Sequence, residues 1–229
     1  MIEVNIVRLS IAGLMLALLL SACTHAEQER KIEFIYLALG ASDVIGVGAT
    51  PLTEGYIYLI NHDLQLRIPG TFLITLAIPN ARIESLNEQV RLAKHFPGDA
   101  DIATVWVGVN DLVHGDDPSR FQSDLRTLLR RLQSSVSTTV VIANLPDVSQ
   151  LPGFRAAPNP AVTQERVKSF NRAIEVEAPY VNASVVNVFA ESAPDDFTFD
   201  EDGFHPTKAG HQHMASLFRK TILERVGLR

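Results

Sequence analysis

From residue 34 onward, purely apolar runs alternate with amphipathic stretches. Phe34–Leu39, Phe72–Ile78, Ile102–Val107, Thr139–Ala143 and Ser184–Val188 are rich in Val, Ile, Leu and Ala, without polar alternation. A strand with one wet face alternates, whereas a strand covered on both faces reads as a continuous apolar run, so each run predicts a buried strand. Between them, Gly55–Leu66, Ala81–Ala93, Ser119–Leu132, Val162–Glu177 and Thr207–Val226 carry helical patterns. Asp117-Pro118-Ser119 offers the third of these a cap and an early proline. Strict strand–helix alternation predicts a doubly wound, flavodoxin-like α/β fold: a three-layer sandwich around a five-stranded parallel sheet with right-handed crossovers. With no repeat and no low-complexity tract, residues 32–229 are expected to form one domain.

The first residues have a different pattern. Arg8 precedes an apolar run, Ile11 to Leu20, that is too short to span a membrane and suits a signal-peptide core. It ends in Leu20-Ser21-Ala22-Cys23, which resembles the lipobox of bacterial lipoproteins, with residues 1–22 removed and Cys23 lipidated. The alternative is an ordinary secretory signal. On the lipoprotein reading, residues 23–31 are a tether and several acyl chains on Cys23 anchor the protein stably to a membrane. Thr24 in place of aspartate favours the outer membrane of a bacterial envelope. Cys23 is the single cysteine, so no internal disulfide can form. A net charge of −6, with Lys and Arg scattered, argues against nucleic acid as a partner. The oligomeric state is not legible.

In such sheets ligands bind beyond the carboxyl ends of the strands. Five loops then open on one edge: those starting at Gly40, Pro79, Gly108 and Asn144, and the Asp200–His205 segment. Ser42 sits at a strand-to-helix turn, where its hydroxyl can project and its own N–H can hold a developing negative charge, although a capping serine would look the same. Asn110, in Gly108-Val109-Asn110-Asp111, can donate to the same oxyanion, a contact typically worth about 3 kcal/mol in the transition state. His205, fixed by Pro206, stands three residues after Asp202, close enough for the carboxylate to orient the imidazole. A serine, a histidine and an aspartate on one edge are the equipment of nucleophilic acyl transfer.

Taken in order, these blocks resemble the SGNH (GDSL-type) hydrolase superfamily of serine esterases and lipases. The matching residues are Gly40-Ala41-Ser42 with Gly46, Gly108-x-Asn110-Asp111, and Asp202-x-x-His205-Pro206, and the similarity spans about residues 33–220. It implies Ser42 as nucleophile, His205 as general base, Asp202 as its orienting acid, and Asn110 with the Ser42 amide as oxyanion donors. Three positions depart from the pattern. Ala41 stands where the family usually has aspartate, and Asp43 where it has an aliphatic residue. Asn80 replaces the glycine whose amide is the other oxyanion donor, and asparagine is the side chain that best tolerates positive φ.

The implied activity is an extracytoplasmic esterase or lipase that cleaves carboxylic esters through an acyl-enzyme on Ser42. A catalytically silent, ligand-binding lipoprotein with the same fold is the alternative. The substrate is a small-molecule, lipid or glycan acyl ester. The proline-rich segment Leu145–Pro160 is long enough to wall the site, with Phe154 and, from the third loop, Leu112 expected against the acyl group. No cofactor or metal is expected: Gly-x-Gly-x-x-Gly is absent, and His211 and His213 face different ways on a helix.

Overall fold

The computed structural model describes residues 31–96, 98–137, 139–191 and 202–228. Cys23 and the proposed signal and tether lie outside them. In chain order the elements are β1 (Phe34–Gly40), α1 (Ser42–Ile45), α2 (Tyr56–Arg67), β2 (Thr71–Thr75), α3 (Ile83–Ala93), β3 (Ile102–Trp106) and α4 (Val109–His114). They continue with α5 (Pro118–Ser135), β4 (Val140–Ala143), α6 (Pro152–Ala156), α7 (Gln164–Glu177), β5 (Ser184–Val186), α8 (Val188–Glu191) and α9 (Lys208–Arg225). The strands form one parallel sheet in the order β2-β1-β3-β4-β5, the flavodoxin-like order expected.

Burial along the strands explains their apolar runs. Every residue of β1, β3 and β4 is buried, because helices cover both faces. Ile35, Leu37 and Leu39 point into a core shared with α3, α5 and α7. Phe34, Tyr36 and Ala38 point the other way, against α2 and α9. That alternation on one strand, with apolar residues on both sides, is the three-layer sandwich. Asp117 caps α5 as predicted, its Oδ1 accepting the Ser119 and Arg120 amides at 2.8 and 3.1 Å, with Pro118 in the first turn.

β3 and β4 lose a single terminal residue each, whereas the two edge strands end two or three residues before the expected positions. β2 stops at Thr75 although apolar residues continue to Ile78. Leu76 and Ile78 only reach back to the Ala38 and Gly40 carbonyls at 3.5 and 3.3 Å, the last places at which β1 can be met. β5 stops at Val186 because Asn187 changes the chain's direction. Its Oδ1 accepts from Asn144 Nδ2 at 2.9 Å and from the Ala190 amide at 3.3 Å, which starts α8.

The order of strands matters for function. The chain leaves β1 towards β2 on one side and β3 leads away on the other, so the crevice of a switch point opens between the carboxyl ends of β1 and β3. Ser42 follows β1 and Asn110 follows β3.

Candidate active site

Ser42 is held by its neighbours more than by its own helix. Gly40 ends β1 at φ 157°, and a Cβ there would lie 2.4 Å from Val44 Cγ2 and 2.6 Å from the Trp106 carbonyl, so no side chain fits. The Gln89 amide from α3 clamps the same glycine twice: Oε1 accepts the Gly40 N–H at 3.0 Å and Nε2 donates to its carbonyl at 2.9 Å. Ala41 occupies the cap position of α1 and has no side-chain acceptor to offer, which is the local consequence of the missing aspartate. Ser42 opens α1, so its N–H has no acceptor within the helix, and the residue lines the cleft. Gly46 closes the turn in the left-handed region, φ 100°.

The acid–base loop meets Ser42 from the far end of the chain. His205 Nε2 lies 2.8 Å from Ser42 Oγ, and His205 Nδ1 lies 2.5 Å from Asp202 Oδ2. Asp202 Oδ1 accepts the backbone amides of Phe204 and His205 at 2.8 and 3.0 Å, folding the loop around its own carboxylate. Partial burial pushes the Asp202 carboxyl up, but the His205 ring and those two amides together outweigh it and hold the group below the usual carboxylate range. An ionised Asp202 can only accept, so the ring proton sits on Nδ1 and Nε2 is left to accept from the Ser42 hydroxyl. The three side chains thus form one directed proton path.

All five carboxyl-end loops line the cleft above Ser42, which is mostly apolar. Asn110 lines it, with Nδ2 also donating to the Ala81 carbonyl at 3.0 Å, so one amide proton is engaged and one remains. Asn80 adopts positive φ, 57°, as its replacement of glycine requires. It is exposed beside the cleft, and its neighbour Ala81 is the residue of that loop that lines it. Leu112 must be corrected: it is fully buried in the core beneath α4 and cannot touch a substrate. Phe154 is corrected too. The Leu145–Pro160 segment walls the cleft through Pro146, Val148 and Leu151, while Phe154 packs edge-on against Phe204 at 5.7 Å.

Asp43 lines the cleft beside Ser42. Burial raises its carboxyl from an ordinary 3.8 to about 6, against the lowering pull of its own amide, of His205 and of the Val44 amide. The Tyr56 hydroxyl and the Trp106 indole N–H behind it are buried with no partner among the described residues. Burial and the Asp43 charge both raise the Tyr56 hydroxyl's pKa.

The structural roles of three supporting residues escape sequence reading. Gln89 is one, and its signal is a polar residue on the buried face of an amphipathic helix, between Leu86 and Val90. Asp111, fully buried, accepts the Ile83 N–H at 3.0 Å, tying the β3 loop to the β2 loop, and burial raises its carboxyl to about 6. His211, also buried, links Tyr56 N (3.3 Å, to Nδ1) with the Val47 carbonyl (2.9 Å, from Nε2), and burial lowers its pKa. A neutral imidazole with a proton on Nε2 satisfies both bonds, so His211 is a strut. Among the described residues no three His, Cys, Asp or Glu are grouped so as to hold a metal ion.

The model of the family described as GDSL-like Lipase/Acylhydrolase matches residues 38–213. Comparison with curated proteins gives no significant match. Among solved structures, a lipase/acylhydrolase from Enterococcus faecalis is 19% identical with a TM-score of 0.65, over 84% of this chain and 96% of that one. An acetylxylan esterase from Geobacillus stearothermophilus is 18% identical with a TM-score of 0.63, over 87% and 96%. An extracellular lipase from Streptomyces rimosus is 17% identical with a TM-score of 0.59, over 82% and 99%. At these identities the structures bear on the fold, and the family match bears on the chemistry.

Proposed function

We propose that this chain, which belongs to the GDSL-like lipase/acylhydrolase family and hydrolyses esters, does so through an acyl-enzyme formed on Ser42. His205 Nε2 takes the hydroxyl proton as Ser42 Oγ attacks the ester carbonyl. Asp202 keeps the ring in the right tautomer and stabilises the imidazolium. The N–H groups of Ser42 and Asn80 and the free amide proton of Asn110 take the charge on the carbonyl oxygen. Collapse expels the alcohol, which receives the proton from His205, and a water molecule activated by the same imidazole then releases the acid. The observation that carries this reading is the continuous Ser42–His205–Asp202 hydrogen-bond path, 2.8 and 2.5 Å.

The substrate class that fits is a small or medium acyl ester. The apolar cleft wall suits an acyl group, and structural relatives described as a lipase and as an acetylxylan esterase leave lipid and acetylated-glycan alcohols both open. Leu20-Ser21-Ala22-Cys23 supports lipid attachment at Cys23 and a place in the bacterial envelope, at the outer membrane. A chain-length series of p-nitrophenyl esters beside acetylated sugars tests the reaction. Ser42→Ala should lower turnover of whichever ester is cleaved by roughly 10⁴-fold or more, and full activity in that variant ends the proposal. Cys23→Ser should move the protein from the membrane fraction to the soluble one, and unchanged membrane association counts against the anchor.

A further inference from the structure

We propose that Gly153 and Phe154 are positioning residues that hold the Asp202–His205 loop in register with Ser42. The inference rests on the acyl-transfer reading above, and adds to it what keeps the proton path straight. The need for a brace is visible in the loop itself. The Asp202 side chain is 43% exposed, so core packing does not fix it, and a hydrogen bond at a wet surface is easily loosened.

Helix α6 supplies the brace in two adjacent contacts. Pro152 opens α6 and has no N–H, so Gly153 carries the helix's first free amide, which donates to the Gly203 carbonyl at 3.0 Å. The two backbones touch there with no room for a side chain on either. A Cβ on Gly153 would lie 2.9 Å from the Asp202 carbonyl, and one on Gly203, at φ 61°, would lie 2.6 Å from Gly153 N. Next along the helix, the Phe154 ring meets Phe204 edge-on at 5.7 Å and 87°, and Phe204 in turn meets the His205 imidazole at 5.0 Å and 80°. Aromatic edges of this kind fix ring orientation as well as separation. The rotation of His205 about its own side-chain bond is therefore set from one end by Asp202 and from the flank by Phe154 through Phe204. Phe154 itself does not line the cleft and acts only through Phe204 and His205, which do, so its effect falls on geometry more than on substrate affinity.

The test uses the full chain and two readouts. One is steady-state ester hydrolysis. The other is the downfield proton resonance of the His205 Nδ1–H in its short bond to Asp202, which needs no turnover. Phe154→Ala should lower kcat roughly ten- to hundredfold while KM moves less than about threefold. It should also broaden or shift the resonance and displace the acid limb of the pH profile. Phe154→Tyr, which keeps the ring edge, should restore all three. Gly153→Ala, pressing on the Asp202 carbonyl, should repeat the loss with the aromatic contacts intact. The proposal is overturned if both variants keep wild-type kcat and resonance, or if activity and thermal stability fall together while the resonance and acid limb stay put. A wild-type protein that shows the resonance but cleaves no ester would end the acyl-transfer reading, and the resonance in the variants would still decide the brace.

Discussion

Replacing Asp43 by asparagine should make the protein more stable at neutral pH and leave it nearly unchanged in acid. Asp43 is half-buried next to Ser42, and burial lifts its carboxyl from 3.8 to about 6. The folded chain therefore holds this proton more tightly than the unfolded chain does. Below the unfolded value both states are protonated and the group has no effect. As pH rises through 3.8 towards 6, the unfolded chain ionises first, so stability is lost, and the loss is complete above about 6. A difference of about two pH units corresponds to about 3 kcal/mol as an upper bound. Asparagine keeps the shape and the acceptor oxygen for the Asp43 and Val44 amides and cannot ionise. Urea unfolding of wild type and Asp43→Asn at pH 4.5 and pH 8 measures the difference. The variant's advantage should grow by about 2 kcal/mol between those two conditions. An advantage that is the same at both pH values, or that shrinks as pH rises, would refute the claim that a buried carboxylate sits here.

Three further outcomes follow from the same geometry. Asp202→Asn should lower kcat by roughly 10³–10⁴ with an intact fold, since asparagine can donate to Nδ1 and so stabilise the wrong tautomer; an unfolded variant by circular dichroism would make Asp202 structural. Gln89→Leu leaves the Gly40 N–H buried without a partner and its carbonyl with only the Ile78 N–H at 3.3 Å, and should cost on the order of 2 kcal/mol in chemical denaturation, with Ser42 reacting more slowly; a neutral effect would mean the clamp is not holding the nucleophile turn. Hydrolysis of a neutral ester should fall on the acid side as His205 gains a proton and can no longer accept from Ser42, whereas a flat profile from mildly acidic to mildly basic pH would exclude His205 as the base.

Most of this architecture is legible in the amino-acid sequence, and the exceptions share a cause. β1, β3 and β4 are covered on both faces, so composition alone marks them. The edge strands β2 and β5 end where a neighbour ends or a side-chain amide turns the chain, and neither event leaves a hydropathy mark. The short helices α1, α4 and α6 lack enough residues to show a period. α1 and α4 are instead closed by left-handed glycines, Gly46 and Gly115. Ser42, Asn110, Asp202 and His205 stand at loop positions with recognisable spacing, so the pattern itself points to their meeting. Leu112 and Phe154 resist placement, because an apolar residue in a loop reveals nothing about which way it points; one turns into the core and the other onto Phe204. The roles of Gln89, Asp111 and His211 leave no such mark, because each bonds backbone groups far away in sequence.

The most direct measurement is the reaction of purified protein with a fluorophosphonate, followed by peptide mass spectrometry. Wild type should carry one phosphonyl group, on Ser42, and His205→Ala should label far more slowly under the same conditions. A wild-type protein that stays unmodified, or that carries the label on another serine, would contradict the assignment of Ser42 as the nucleophile.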